Sequence, residues 1–178
     1  EPCGPMPESI SEAGKSFIRG YEGLTLTAHY DKNGYAIGYG MHTWRGRKVT
    51  PSYPGRVTRD AVEEEFDRQL VQYIGFVKTK VCAPMTQPML DSLVSVSWNL
   101  GRVNTAILQK MDASRPVVAR DFLTTATVHR RPYPVLVDRR LREYLLFSGD
   151  YDGAMDDSTT RELRQRTRGT QVVLSTTM

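Results

Sequence analysis

The stretch 21–42, YEGLTLTAHYDKNGYAIGYGMH, decides how the rest of the chain is read. Glu22 closes an amphipathic segment, SEAGKSFIRGYEG, and a second acid, Asp31, follows nine residues later. Asp31 stands just ahead of DKNG, where Asn33-Gly34 is a tight-turn signal. Beyond the turn, Tyr35-Ala36-Ile37-Gly38-Tyr39-Gly40 alternates like a short strand interrupted by glycines. One acid therefore ends a helix and the other sits at a hairpin turn. A hairpin folded back beside the helix end would bring the two carboxyls to one place. One protonated and one charged carboxyl are the minimum apparatus for cleaving a glycosidic bond.

Working outward, YEG, the nine-residue spacing from Glu22 to Asp31, D-x-x-G and IGYG together resemble the phage-type lysozyme (endolysin, muramidase) family, glycoside hydrolase family 24. Three further segments resemble that family in the right order. VTRDAVEEEFDRQL is similar to its helix after the long loop, TQPMLDSLVSVSWNLG to its buried central helix, and PVLVDRRLREYLLFSGDY to its Arg-rich helix near the end. The resemblance implies an α+β, mainly α, lysozyme-like fold: a small N-terminal β-hairpin lobe and a larger C-terminal helical lobe joined by a long helix. It implies a single unit over 1–178, with the N-terminal lobe at 9–57, the connecting helix at 58–80, the helical lobe at 84–156, and tails at 1–8 and 157–178. The resemblance implies cleavage of the β-1,4 bond between N-acetylmuramic acid and N-acetylglucosamine in peptidoglycan, with Glu22 as general acid. Asp31 is then the carboxylate that stabilises the oxocarbenium-like sugar and helps aim a water at its opposite face. That is the inverting arrangement, with carboxyls about 6.5–9.5 Å apart, whereas about 5 Å would point to a retaining path. The expected partner is the peptidoglycan glycan strand and the expected place the bacterial periplasm or cell wall, with a phage-encoded or virion-borne origin open. A monomer is expected, with no cofactor and no metal.

The chain departs from the family pattern D-x-x-G-x-x-T-I-G. It runs Asp31-Lys32-Asn33-Gly34-Tyr35-Ala36-Ile37-Gly38, one residue short, and Ala36 falls where the family has a threonine that helps hold the nucleophilic water. Thr27 and Thr43 are candidate substitutes. The resemblance places Tyr35, Ala36 and the Asn99 corner beside the substrate, and an arginine of the late helix, Arg139 or Arg140, beside Glu22. For Asn99, the reading from the residues alone is a helix cap.

Composition fits a folded domain of 178 residues. No apolar run approaches the roughly 20 residues needed to span a bilayer, so no stable membrane insertion is expected. The first residue is Glu1 rather than Met, which points to a removed signal, export anchor or leader. The net charge of +4 and pI near 9.1 favour a polyanionic partner or simply aid solubility. No nucleic-acid motif accompanies the charge. Two cysteines, Cys3 and Cys82, permit one disulfide between the Pro-rich N-terminus and the connection after the long helix, an arrangement of oxidising compartments; the alternative is two unrelated thiols.

In chain order, Ser9 or Ser11 caps the first helix and Gly23 ends it. Residues 24–49 should form one small antiparallel sheet, with a third short strand at 44–49, followed by a loop over 50–57. Thr58 caps a long helix whose stripe is Ala61, Val62, Phe66, Leu70, Ile74 and Val77, while Asp60, Glu63, Glu64 and Glu65 form a solvated face that complements the helix dipole. Thr86 caps a buried helix ending at Asn99-Leu100-Gly101. Shorter helices are expected at 104–112 and 116–125, a basic loop at 128–134 that is read as solvated with a wall-contacting rim as the alternative, and a helix from Pro134. Residues 157–178 are a tail or a short extra helix. His29, His42 and His129 lack ligand spacing and are expected to be ordinary polar residues. No Walker loop, dinucleotide fingerprint or Ser nucleophile motif is present.

In mechanism, Glu22 at a helix end against apolar residues is partly desolvated, which favours its protonated form, while a nearby arginine works the other way. Loss of the threonine opens a second enzymatic outcome, attack by the muramyl 6-hydroxyl to give a 1,6-anhydro product as in lytic transglycosylases. A glycan-binding module of lysozyme fold without turnover is the non-enzyme alternative.

Overall fold

The computed structural model describes residues 2–175, and for 169–175 the backbone alone. Helix α1 spans Glu12–Glu22. The hydroxyl of Ser11, not Ser9, caps it by accepting from Gly14 N–H at 3.1 Å, and Gly23 ends it by donating to the Arg19 carbonyl at 2.9 Å. Strands β1 (Thr25–Asp31) and β2 (Gly34–Gly38) pair antiparallel, with Asp31 opposite Gly34, Tyr30 opposite Tyr35 and His29 opposite Ala36. The two loop residues are Lys32 and Asn33, one step earlier than the Asn33-Gly34 signal suggested. Asp31 sets that step, because its Oδ1 accepts from Asn33 N–H at 2.7 Å.

The single sheet expected over 24–49 is instead two separate hairpins. Ile37 and Met41 exchange backbone hydrogen bonds of 2.9 Å, so the chain reverses before a third strand can align with β2. The segment 44–49 then contains its own turn at Arg45 and Gly46, both at positive φ, and the second hairpin is β3 (Thr43–Trp44) with β4 (Arg47–Lys48).

Helix α2 (Arg59–Lys80) starts at the Thr58 cap and buries Val62, Phe66, Leu70, Ile74 and Val77, the expected stripe. Helix α3 (Gln87–Leu100) starts at the Thr86 cap and stops where Gly101 turns left-handed. It is buried on nearly every side, including at Asp91, Ser92, Ser95 and Ser97. Around it lie α4 (Thr105–Asp112), α5 (Ala119–Leu123), the short hairpin β5 (Thr127–Val128) with β6 (Arg131–Pro132), α6 (Pro134–Phe147), α7 (Tyr151–Ala154) and α8 (Asp157–Ser175). The basic loop expected at 128–134 is thus a small exposed hairpin leading into α6. Lys32, at the tip of the first hairpin, sits 4.9 Å over the Tyr133 ring at the start of α6.

Residues 157–175 are a helix rather than a tail: Leu163 packs into an apolar cluster with Ala119, Leu123, Ala126 and Leu141. Residues 176–178 lie outside the described residues. The main core is continuous from Ile18 and Ile37 through Phe66, Leu70, Leu90 and Leu93 to Ile107 and Phe122, so hairpin and helical lobes share it. No described helix is long and apolar enough to cross a membrane.

The N-terminal arm is tied down by a Cys3–Cys82 disulfide. Gly4 N–H donates to the Cys82 carbonyl at 2.8 Å and Met85 N–H to the Pro5 carbonyl at 2.9 Å, so the arm pairs with the α2–α3 connection. The bridge closes a loop with a sequence separation of 79, a large loss of freedom for the unfolded chain. Reduction, or Cys82→Ser, is expected to lower stability by roughly 2–4 kcal/mol, read as a lower midpoint in urea.

The acidic run of α2 is only half solvated. Asp60 and Glu64 are exposed, as expected, but Glu65 is buried and Glu63 half-buried. Glu63 accepts from Arg19 Nη2 at 2.7 Å and from the Tyr39 hydroxyl at 2.5 Å, joining α2 to α1 and to the turn after β2. Glu65 accepts from Arg68 Nη2 at 2.7 Å and from Arg45 N–H at 3.0 Å. The sequence run hides this because a 3.6-residue period sends neighbouring acids to different faces. Burial works to raise the Glu63 carboxyl, but the hydrogen bonds from Arg19 and Tyr39 outweigh it and hold the group below its ordinary value of 4.5. A depressed folded value gives stability that is complete above the ordinary value and is lost as pH falls through the folded one. The melting temperature of the parent is therefore expected to drop below about pH 4.5, and Glu63→Gln to flatten that acid limb while lowering the neutral plateau.

Candidate active site

Glu22 is the last residue of α1 and Asp31 the last of β1, and both line one cleft of about 430 Å³. The hairpin side adds Asn33, Gly40, Met41, His42 and Thr43; α2 adds Gln69 and Tyr73; the end of α3 adds Trp98, Asn99, Leu100 and Gly101. A larger groove of about 840 Å³ lies beside the disulfide. Its one carboxylate, Asp112, is taken by the N–H groups of Cys82 and Ala83, so paired-acid chemistry belongs to the smaller cleft.

Glu22 is held from two sides. Arg139 Nη1 donates to its Oε1 at 2.8 Å. Arg139 is 5% exposed in its side chain and Glu22 18%, so the pair is largely shielded from water. The guanidinium lies 5.0 Å over the Tyr21 ring and 3.5 Å from the buried Glu143 carboxylate. Tyr21 in turn donates to Asp138 at 2.7 Å; burial first, then that bond, pushes its phenol well above the ordinary range. On the other side, a Cβ at Gly40 would stand 2.5 Å from Glu22 Oε2, and Gly40 has φ +73.

Arg140 does not line the cleft. It is fully buried, paired with Glu143, and donates to Thr125 Oγ1 at 2.9 Å and to Asn99 Oδ1. Asn99 is therefore an exposed cleft residue pinned from behind by Arg140, rather than a helix cap; Gly101 N–H closes α3 instead. Asp31 accepts from Asn33 N–H with one oxygen and faces His42 Nε2 at 3.5 Å with the other. His42 Nδ1 lies 3.1 Å from the Tyr35 carbonyl.

The sequence profile of the phage lysozyme family matches residues 19–143, well over half of the chain. The chain belongs to the phage lysozyme family. An endolysin of Acyrthosiphon pisum secondary endosymbiont phage 1 is 29% identical over 148 residues, covering 78% of this chain and 97% of that protein. An endolysin of Bacillus phage PZA is 28% identical over 146 residues, covering 78% of this chain but 55% of the relative, so the chain spans about half the length of that protein. Among solved structures, the endolysin from Escherichia coli O157:H7 phage FAHEc1 superposes with a TM-score of 0.70 at 25% identity, covering 78% of this chain and 92% of that one.

Against this phage lysozyme frame, two residues expected beside substrate lie elsewhere. Ala36 is fully buried in the core, and Tyr35 packs edge-on against Tyr30 at 5.4 Å; neither lines the cleft. Ala36 sits opposite His29 of β1, and β2 is buried from position 36 through Gly38, so its side chain is covered rather than presented to the cleft. Thr27 is exposed and outside the cleft, whereas Thr43 lines it.

Several cleft residues had no place in the sequence reading as site residues, among them His42, Gln69, Tyr73 and Trp98. Gln69 and Tyr73 are four apart on the flank of the α2 stripe, a helical spacing that marks a shared face. Burial, then the charge of Glu22, raises the Tyr73 phenol. Trp98 looked like core and partly is: its ring packs 5.1 Å from Phe66 and 5.2 Å from Tyr73, and its Nε1 donates to the Tyr39 carbonyl at 3.2 Å. No group of described residues has the arrangement of a metal site.

Gly40→Ala is expected to expel Glu22 from its seat and strain a left-handed position by about 1–2 kcal/mol. Clearing of wall suspensions, the activity proposed below, should fall by about tenfold or more, while a thermal melt still shows a folded protein.

Proposed function

We propose that this chain is a peptidoglycan hydrolase of the muramidase type, cutting the β-1,4 bond between N-acetylmuramic acid and N-acetylglucosamine in the bacterial wall. The observation that carries the reading is that Glu22 and Asp31 share one open cleft with an aromatic wall of Tyr73 and Trp98. Glu22 gives its proton to the leaving glycosidic oxygen. The carboxylate so formed meets Arg139, already 2.8 Å away, so the charge that develops has a preorganised partner. Asp31, hydrogen-bonded in its turn and open to water, is the carboxylate that faces the oxocarbenium-like sugar. The net charge of +4 suits a wall polymer rich in carboxylates. It acts at the bacterial cell wall, a reading its phage endolysin relatives support, and we take it to act as a monomer.

Glu22→Gln keeps the shape of the site and removes the transferable proton. It is expected to abolish release of reducing ends from purified wall while retaining binding to it. Full lysis by that variant rejects the assignment. Mass spectrometry of the parent's products separates hydrolysis from a transglycosylase path, because the 1,6-anhydro product is lighter by one water. Binding by the parent without any turnover would instead leave a glycan-binding module.

A further inference from the structure

We propose that His42, in partnership with Asp31, holds the attacking water in place of the hydroxyl that position 36 lacks. The inference rests on the muramidase reading above and adds to it the residue that makes hydrolysis possible.

The ring has a fixed direction. A carbonyl oxygen only accepts, so the 3.1 Å contact with Tyr35 puts hydrogen on Nδ1. In the neutral ring, Nε2 is then a lone-pair acceptor. It points at Asp31 Oδ2 across 3.5 Å, longer than a direct hydrogen bond. Asp31 Oδ1 is already taken by Asn33 N–H, so Oδ2 is the carboxylate oxygen left for chemistry. Two acceptors that face one another are short of a hydrogen, and a water at the mouth of the gap supplies it.

The place is right for that water to react. His42 lines the cleft with Glu22 and Asp31, and its side chain is 42% exposed, so solvent reaches Nε2. Ala36 is sealed in the core and offers no hydroxyl. The step balances without an added reactant. The water oxygen bonds to the anomeric carbon as the glycosidic bond breaks, and the leaving oxygen takes the Glu22 proton. The water's proton goes to His42 Nε2 and from there through solvent restores Glu22. One water is consumed and no net proton.

The test compares His42→Phe, which keeps the ring's bulk without an acceptor, with His42→Gln, which restores an acceptor. Turnover and KM are measured on soluble glycan, with and without sodium azide, beside thermal melts. His42→Phe is expected to fold like the parent, keep its KM within about twofold, and lose about 10²–10⁴-fold in kcat. His42→Gln should recover part of that loss. Azide should accelerate His42→Phe and appear in the product as a glycosyl azide. A shift of the His42→Phe products to the 1,6-anhydro form also supports the proposal, because the 6-hydroxyl then attacks where water is no longer held. Full kcat in His42→Phe overturns it, as does a loss that follows melting temperature or KM with no response to azide. Should His42→Phe fail to fold, full kcat in His42→Gln, Asn and Ala variants together overturns it equally. A Thr43→Val that loses kcat beside a full-rate His42→Phe transfers the role to Thr43. Glu22→Gln runs alongside: if it stays active, the muramidase reading itself falls, whereas an inactive Glu22→Gln with an active His42→Phe removes only the present inference.

Discussion

Two arginines and one glutamate buried between α3 and α6 determine where the cleft lies. Arg139, Arg140 and Glu143 are all within or beside the core, and the single Glu143 carboxylate serves both cations. Such charges are tolerated only when paired and hydrogen-bonded, and removing one partner typically costs about 3–5 kcal/mol. The helices are held in one register by that demand, since Ser92 and Ser95 of α3 also bond to Glu143. What the buried acid leaves unpaired is satisfied at the surface of the cleft: Arg139 reaches Glu22 and Arg140 reaches Asn99. The packing requirement of the core and the placing of the acid are one arrangement.

The hairpin lobe is joined to this base by a second set of polar contacts. Glu63 gathers Arg19 and Tyr39, and Lys15 of α1 bonds to Asp67 at 2.6 Å. These contacts link α1 to α2 along one side, while Tyr21 and Asp138 link α1 to α6. Glu22 therefore stands at the end of a helix braced against two others. Asp31 depends on less: its own turn, one N–H and one imidazole. Glu22, the proposed proton donor, sits on a braced helix, and Asp31 sits at the end of a strand beside a two-residue turn.

Much of this was legible in the sequence because its causes are local. Thr58 and Thr86 cap helices, the α2 stripe is periodic, and Gly23 and Gly101 end helices; each is decided within four residues. Order of segments was enough to point to the family and to a lysozyme-like fold. What was not legible depends on faces and distances. Ala36 looked like a gap in the cleft and is a core residue, because β2 is covered from position 36 onward. Glu65 looked solvated and is buried, because the second hairpin brings Arg45 N–H to it. Arg139 and Arg140 were indistinguishable by type, yet a helical rotation of about 100° per residue sends one to Glu22 and the other to Asn99. His42 gave no signal at all, since its partners, Asp31 and the Tyr35 carbonyl, meet it only once the hairpin has closed.

The hairpin tip and the start of α6 are joined by far less than the hairpin's base. Lys32 over Tyr133 is an exposed contact of a kind worth about 0.5–1 kcal/mol, comparable to thermal energy. A contact that small does little to fix the tip, whereas at the other end Glu63 ties α2 to α1 through Arg19 and to the turn after β2 through Tyr39. The tip is therefore the part of the hairpin lobe whose displacement costs least.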